Sequence, residues 1–467
     1  MFLSNNLHLK YANHKAFISD SGECLTYEDL YCFSERIKPF LKEKSLIFNL
    51  CENTQGSLLG YTAFISNGAV PLMLDAKIDT ELLHGLLNTY EPNYVWLPDN
   101  VSPVFKSKKI VFSKFGYSLH LISSVKIPLN QDLALLLTTS GSTGSPKLVR
   151  LSYNNILSNA ESIAEYLSID SKERPVTALP MNYSFGLSII NSHILKGATI
   201  LLTNKSLMEK EFWSFLKEEK ATSLSGVPYT YEMLKRLRFF RMDLPYLKTL
   251  TQAGGKLNIE LTKEFAEYAE NNDKRFFVMY GQTEATARMS YLPYKEALSK
   301  AGSIGVAIPK GKFQLMDENR NEINGNDIVG ELVYQGPNVS LGYAENKTDL
   351  NKGDENKGIL YTGDLAKKDA DGYYYIVGRK KRFIKLFGNR VNLDETERLL
   401  KSLITDCACI GNDDKMIIYI TEKSRKEEVK QFISAKTGIN FIAFEVRIIE
   451  EIPKNTSGKT IYSSLSI

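Results

Sequence analysis

The sequence predicts an α/β protein with two doubly wound α/β regions, a short-stranded β region after them, and a small alternating segment at the C-terminal end. Three observations carry this. From Leu25 to about Val125, short apolar runs bounded by Asn, Gly, Pro or Asp alternate with helix-like stretches. The same rhythm returns between about Tyr153 and Met279, and after about Tyr291 the texture changes to short runs rich in Gly and Asn. A chain of 467 residues is also too long for one core, so more than one domain is expected.

In order along the chain, "SLIFNL", "AVPLML" and "NYVWLP" are apolar at nearly every position, the pattern of strands covered on both faces of a parallel sheet. "LALLL" before Thr138 has the same look. In the second region "NNILSNAESIAEYLSI" reads as helix, "ATILLT" as strand, "MEKEFWSFLKEE" as helix and "ATSLSGVP" as strand and turn. "GSIGVAIPKGKFQLMDENRNEINGNDIVGELVYQG" suits a small β-barrel or meander. The basic run "GRKKRFIK" then reads as a hinge or as a solvated basic strand; no other basic cluster joins it to make a nucleic-acid surface.

The bulk composition narrows the function classes. Lys plus Arg number 58 against 54 for Asp plus Glu, a formal charge of +4, which demands no polyanionic partner. The start "MFLSNNLHLKYANHK" lacks the apolar centre of a signal peptide, and no run reaches the ~18 apolar residues of a membrane span, so a cytoplasmic protein without membrane insertion is expected. Five cysteines with one Cys-Ala-Cys pair indicate neither a disulfide framework nor zinc.

Chemistry concentrates in a few segments. "TTSGSTGSPKL" follows the leucine run and precedes the helix-like "YNNILSNAESIAEYL". Its backbone N–H groups, the hydroxyls of Thr139, Ser140, Ser142 and Thr143, and the Lys147 ammonium suit a phosphate cradle, although Gly and Ser also make plain surface turns. The P-loop pattern G-x-x-x-x-G-K-[ST] is not met here, because Pro146 precedes the lysine. "SGKT" near the end fails it as well, with Pro453 where the first glycine belongs.

Four segments in order, "TTSGSTGSPK", "MYGQTEAT", "LYTGDLAKKDADGYYYIVGRKKRFIKLFGNRVN" and "PKNTSGKT", resemble the adenylate-forming superfamily of AMP-binding enzymes, which includes acyl-CoA synthetases, luciferases and peptide-synthetase adenylation domains. The resemblance runs from "LTYEDL" at Leu25 to Lys459. It implies a large N-terminal domain (1–380) of two α/β subdomains plus a small distorted β-barrel, and a small mobile α+β C-terminal domain (381–467) carrying the adenylation lysine. In that superfamily a carboxylate attacks the α-phosphate of ATP to give an acyl-adenylate and pyrophosphate, and a thiol then usually displaces AMP.

The resemblance assigns roles residue by residue. Thr139, Ser140, Gly141, Ser142, Thr143, Gly144 and Lys147 hold the ATP phosphates. Gly254, Gly255 and Lys256 wrap the adenine, Tyr280 stacks on it, and Gly281 belongs to the same adenine- and ribose-binding set. Thr283 bonds the α-phosphate, and Glu284 is the Mg²⁺ carboxylate. Asp364 and Arg379 hold the ribose. Tyr183, Phe185 and Gly186 line the acid pocket, Lys381 is the hinge, Gly388 belongs to the thiol channel, and Lys459 bridges carboxylate and α-phosphate. Physically the set makes sense, because phosphoryl attack is helped by positioning and by donors and cations around the developing charge.

Departures from the superfamily pattern bear on substrate. Leu148 follows Lys147 where a glycine is usual, Tyr183 replaces a histidine, and Tyr462 stands where an arginine is often found. Gly186 occupies the position of the Asp that pairs a substrate ammonium in amino-acid-activating relatives, which favours a non-amino carboxylic acid, since a buried unpaired ammonium is costly. The expectation is therefore an ATP- and Mg²⁺-dependent acid–thiol ligase without a prosthetic group, transferring acyl groups to the phosphopantetheine thiol of an acyl carrier protein or of coenzyme A. The compact C-terminal domain tilts this towards a carrier protein. A stand-alone amino-acid adenylation enzyme and a catalytically silent nucleotide-binding protein are the alternatives.

Overall fold

The computed structural model describes residues 5–101, 105, 108–138, 147–386, 389–412, 415–437, 439–454 and 458–466. The chain divides into two compact units, Met1–Lys312 with Gln335–Leu360, and Phe313–Tyr334 with Tyr361–Ile467.

The first unit is built on two large sheets with the expected alternation of strand and helix. Among the described residues the first sheet has nine strands, in the spatial order Val306–Ala307, Ser290–Leu292, Arg275–Tyr280, Thr249–Gln252, Ser223–Gly226, Pro175–Val176, Ile200–Leu202, Lys15–Ser19 and Cys24–Thr26. Its centre, from Arg275–Tyr280 through Lys15–Ser19, pairs in parallel, and both edges are antiparallel. The second sheet has the order Gly342–Ala344, Leu148–Ser152, Leu133–Thr138, Val70–Asp75, Leu46–Cys51, Tyr94–Pro98, Tyr117–Leu121 and Lys109–Lys114. Four central strands, from Leu133–Thr138 to Tyr94–Pro98, are again parallel.

Helices Gln55–Ser66 and Ser184–Leu195 are buried on essentially every side, as helices between two sheets must be. One apolar cluster links Phe17, Ile200 and Leu202 of the first sheet with Ile47, Leu135 and Leu151 of the second through Leu58, Tyr61, Leu187 and Ile190 of these helices.

One element differs from the sequence reading. The glycine-rich loop leads from Leu133–Thr138 into a second strand, Leu148–Ser152, antiparallel to the first, and only then into helix Tyr153–Tyr166. Arg150 at the centre of that strand hides it from an apolar pattern. The side chain is buried, and it donates to the carbonyls of Leu341, Tyr343, Lys352 and Gly353 and to the Glu355 carboxylate. Ser152 then caps the helix by accepting from the Asn155 N–H, while Asn155 reciprocates at the Ser152 N–H.

The second unit contains the short-stranded region as a four-stranded sheet, Lys312–Met316, Gly330–Gln335, Ile359–Lys368 and Tyr374–Arg379. It continues through the hairpin Phe383–Leu386 and Asn389–Asn392 to a three-stranded sheet, Cys407–Asn412, Lys415–Ile420 and Phe444–Ile448. Helices Leu393–Leu400 and Lys426–Thr437 pack on that sheet through Leu393, Leu400, Val429 and Ile433. Among the described residues no helix is long and apolar enough to cross a membrane.

Candidate active site

In the first unit the site is organised by a tight turn after strand Arg275–Tyr280. Gly281 has no room for a side chain, since a Cβ there would lie 1.7 Å from the Ala287 carbonyl oxygen. The chain makes a 3₁₀ turn over Thr283–Ala285 and then places Thr286 at φ +66°, a conformation that a β-branched residue adopts only under constraint. The constraint is Asn338. Its amide donates to the carbonyls of Ala285 (2.9 Å) and Arg288 (3.0 Å), its carbonyl accepts from the Thr286 hydroxyl (2.8 Å), and the Ser340 N–H reaches the Glu284 carbonyl (2.8 Å).

The held turn aims its side chains. Thr283 Oγ1 lies 3.2 Å from Ser184 Oγ in the first turn of helix Ser184–Leu195. Glu284 Oε1 accepts a 2.7 Å hydrogen bond from the Tyr343 hydroxyl. The ammonium of Lys147 stands 3.7 Å above the centre of the Tyr343 ring and 3.7 Å from the Glu345 carboxylate. Burial, reinforced by the Glu284 charge, pushes the Tyr343 phenol above its usual range, so it remains a donor. Lys147 and Glu284, 137 positions apart in the chain, are thus joined through one aromatic side chain.

Around the predicted adenine loop, Gly254 sits at φ +84°, with the Tyr183 hydroxyl 2.6 Å from where a Cβ would be. Gln252 shapes the loop by donating to the carbonyls of Ala253 (3.2 Å) and Gly255 (2.8 Å), and Lys256 beyond it is exposed. Gln282 Nε2 donates to the Tyr280 hydroxyl at 3.3 Å. Tyr183 immediately precedes helix Ser184–Leu195, and burial pushes its phenol up to about 12 against the opposing charge of Arg288. Phe185 is buried one residue on, with the Arg288 guanidinium 4.1 Å above its ring. At Gly186 a Cβ would lie 2.2 Å from the Pro180 carbonyl oxygen, so this backbone excludes any side chain there.

In the second unit, Asp364 and Arg379 are directly opposite on antiparallel strands. Arg379 Nε lies 3.4 Å from Asp364 Oδ1; the aspartate side chain is only 6% exposed, whereas the arginine is 64% exposed. Lys381 lies in the short 3₁₀ turn Lys380–Arg382. The neighbouring Arg382 binds Asp394 (2.7 Å) and Glu397 (2.6 Å) and stacks on the Tyr462 ring at 3.8 Å, while the Tyr462 hydroxyl donates to Glu397 (2.9 Å). Tyr462, the departure noted in the sequence, therefore ties the segment that follows Lys459 to the residue that follows Lys381. Thr139, Ser140, Gly141, Ser142, Thr143, Gly144 and Gly388 lie outside the described residues, as does the Lys381 side chain.

Sequence reasoning missed Tyr343, Asn338 and Arg288. Arg288 alone had a signal, a lone cation four residues after Glu284 in an otherwise small and apolar run.

Residues 8–344 match the family model described as AMP-binding enzyme. Among curated relatives, 4-coumarate–CoA ligase-like 2 of Arabidopsis thaliana is 30% identical over 361 residues, covering 74% of this chain and 63% of that protein, so the match spans under two thirds of the relative's length. The 2-succinylbenzoate–CoA ligase of Listeria monocytogenes is 26% identical over 461 residues, 94% of this chain and 93% of the relative. Among solved structures, O-succinylbenzoate coenzyme A synthetase from Bacillus subtilis in complex with AMP superposes with a TM-score of 0.81 at 19% identity, covering 100% of this chain and 98% of that one. The same enzyme in complex with ATP and magnesium ion gives 0.77 at 20% identity over 99% and 98%. ATP-bound MatB from Rhodopseudomonas palustris gives 0.77 at 20% identity over 99% and 97%. The fold is therefore that of these solved structures over essentially the whole chain.

Proposed function

The chain belongs to the AMP-binding enzyme family, and we propose that it is an ATP-dependent, AMP-forming carboxylic acid–thiol ligase. The single observation that carries this is the held turn of the first unit, which presents Thr283 and Glu284 while Lys147 is joined to Glu284 through Tyr343, in a chain of this family. A lysine, an oriented carboxylate and a hydroxyl that can face phosphate oxygens are what an attack on the α-phosphate requires.

In this reading the acid enters beside Tyr183 and Phe185, and ATP is held by the 139–147 loop, by the 254–256 turn with Tyr280 and Gly281, and by Asp364 with Arg379 at the ribose. The Asp364 carboxylate accepts from the diol, and Arg379 fixes its orientation. Thr283 donates to the α-phosphate. Glu284 fits Mg²⁺: one of its oxygens is oriented by Tyr343, and among the described residues its other oxygen carries no hydrogen bond. When bound there, Mg²⁺ supplies charge neutralisation to the departing pyrophosphate. Lys459 neutralises both the attacking carboxylate and the α-phosphate oxygens as the pentavalent arrangement forms, a contact stronger in the transition state than before it.

The acyl-adenylate is then taken by the thiol of coenzyme A or of a carrier protein's phosphopantetheine. This step is assigned to a rotation about Lys381, with the domain boundary at 380/381 and Gly388 in the thiol channel. The backbone contact at Gly186 and the nearby Arg288 cation both weigh against a substrate ammonium in this pocket. The test is ATP–pyrophosphate exchange over a library of acids, with ¹⁸O-labelled carboxylate followed into AMP and mass detection of the acylated thiol. Acid-dependent exchange and labelled AMP are expected. Exchange with no acid, or label that never enters AMP, refutes the reading.

A further inference from the structure

Arg288 is 1% exposed, and its hydrogen-bonding partners are all neutral. Nη1 reaches the Tyr166 hydroxyl (3.3 Å) and the Met279 sulfur, Nη2 reaches Ser188 Oγ (3.2 Å), and the guanidinium face lies on Phe185. Nε is buried and has no acceptor among the described residues. Among the described residues no carboxylate pairs with this cation. A guanidinium cannot discharge itself as a buried lysine can, so an interior arginine without an anion has a missing partner.

The guanidinium borders a small cavity between a helix pair and a parallel sheet, lined by the apolar side chains of Ile163, Leu167, Ile169 and Ile189 and by a row of polar ones. Ser223, Ser225, Thr249 and Thr251 line it from adjacent strands, in register as Ser223 opposite Thr249 and Ser225 opposite Thr251, and Ser192 and His193 line it from helix Ser184–Leu195. His193 Nδ1 donates to the Ile189 carbonyl at 2.8 Å, which makes Nε2 the acceptor nitrogen of the ring. The wall does contain one carboxylate, Glu173, but it is engaged by Arg275 (3.9 Å) and by the Thr222 hydroxyl. Arg275 opens strand Arg275–Tyr280, whereas the Arg288 guanidinium contacts Met279, four residues or ~13 Å further along.

The position of the cation gives a length. Ser184 faces Thr283, the proposed α-phosphate ligand, and Ser188, one helical turn on, faces Arg288. The two contacts are therefore ~6 Å apart along the helix, which sets the reach from the proposed adenylation point to the charge. We propose that Arg288 is the specificity-determining residue of the acid pocket and that it selects a short carboxylic acid bearing a second carboxylate at its far end. This rests on the ligase reading above and names its substrate class. A fatty tail in the same place would leave the guanidinium and the hydroxyl wall without partners, the situation in which buried polar sites discriminate most strongly.

The full chain is to be assayed by pyrophosphate exchange with succinate, glutarate and adipate, each against its monomethyl ester and the monocarboxylate of equal length. Wild type is expected to favour the best diacid over its monoester by at least ~100-fold in kcat/KM. Arg288→Met is expected to bring that ratio near unity by losing the diacid while keeping the monoester, and Arg288→Lys to retain part of the preference. Calorimetry without ATP provides an independent readout, in which the diacid binds wild type and not Arg288→Met. The unliganded Arg288→Met protein should melt at or above wild type, because an uncompensated buried charge has been removed. Equal or better use of monocarboxylates by wild type overturns the assignment, as does an Arg288→Met protein that melts lower and loses all acids alike. Failure of every diacid to bind overturns it whatever the exchange assay gives. Diacid binding that depends on Arg288, with no exchange for any acid, sinks the ligase reading and leaves this assignment standing.

Discussion

Tyr343→Phe removes one oxygen and leaves the ring under Lys147 in place, so it isolates the hydrogen bond to Glu284. A hydrogen bond to a charged carboxylate contributes about 1.5–3 kcal/mol, and the half-buried setting of Tyr343 argues for the lower end. At ~1.4 kcal/mol per decade, the variant should lose about tenfold in kcat/KM for ATP. The loss should depend on Mg²⁺, because the bond orients the proposed metal-binding carboxylate. Pyrophosphate exchange measured from limiting to saturating Mg²⁺ should show a raised requirement in the variant and partial recovery at high Mg²⁺. Tyr343→Leu, which also removes the aromatic face, should lose a further ~0.5–1 kcal/mol from the lysine contact. Full activity of Tyr343→Phe at limiting Mg²⁺, or a loss identical at every Mg²⁺ concentration, would refute the proposed link between the lysine and the carboxylate.

Three further outcomes are expected. Lys459→Ala should slow adenylation by roughly 10²-fold or more yet still transfer acyl groups from supplied acyl-adenylate to a thiol; a folded variant that loses both half-reactions contradicts the role given to this lysine. Asn338→Ala strips two buried carbonyls of their donor and frees the strained Thr286 turn, so unfolding should show a loss of about 2–4 kcal/mol, with kcat/KM falling alongside; wild-type stability would mean the turn holds itself. Burial lowers the pKa of His193 from 6.5 to about 4, so the folded state holds it neutral while the unfolded chain binds a proton below pH 6.5. Its contribution is present above pH 6.5 and is lost as pH falls towards 4, about 2 kcal/mol by pH 5; chemical unfolding of His193→Gln should show a correspondingly flatter acid limb, and parallel curves would count against it.

The parallel strands were legible because burial on both faces leaves continuous apolar runs, as in Leu46–Cys51 and Val70–Asp75, and helix Tyr153–Tyr166 because its period is local. The motif proposed to face the phosphates could be singled out for a related reason: Thr283 and Glu284 lie within one short segment. What could not be read is whatever depends on a distant partner. Tyr343 acts 59 residues from Glu284, and Asn338 clamps a turn 50 residues away, so no window of sequence contains either interaction. Strand Leu148–Ser152 was missed because the carbonyls that make Arg150 acceptable in a core arrive from residues 341 to 353.

That strand supplies the comparison on which the substrate argument turns. Arg150 and Arg288 are both fully buried arginines, and in the sequence each is simply a cation between apolar or small neighbours. Arg150 is surrounded by four carbonyls and the Glu355 carboxylate, so its desolvation is offset inside the protein and it acts as a joint between strand Leu148–Ser152 and the 341–355 segment. Arg288 has hydroxyls, a sulfur, an aromatic face and an Nε with no acceptor among the described residues. The fold thus shows that it can neutralise a buried guanidinium where the role is structural. Leaving the second one without an anion lowers the stability of the empty pocket, and that deficit becomes selectivity when a carboxylate arrives to fill it.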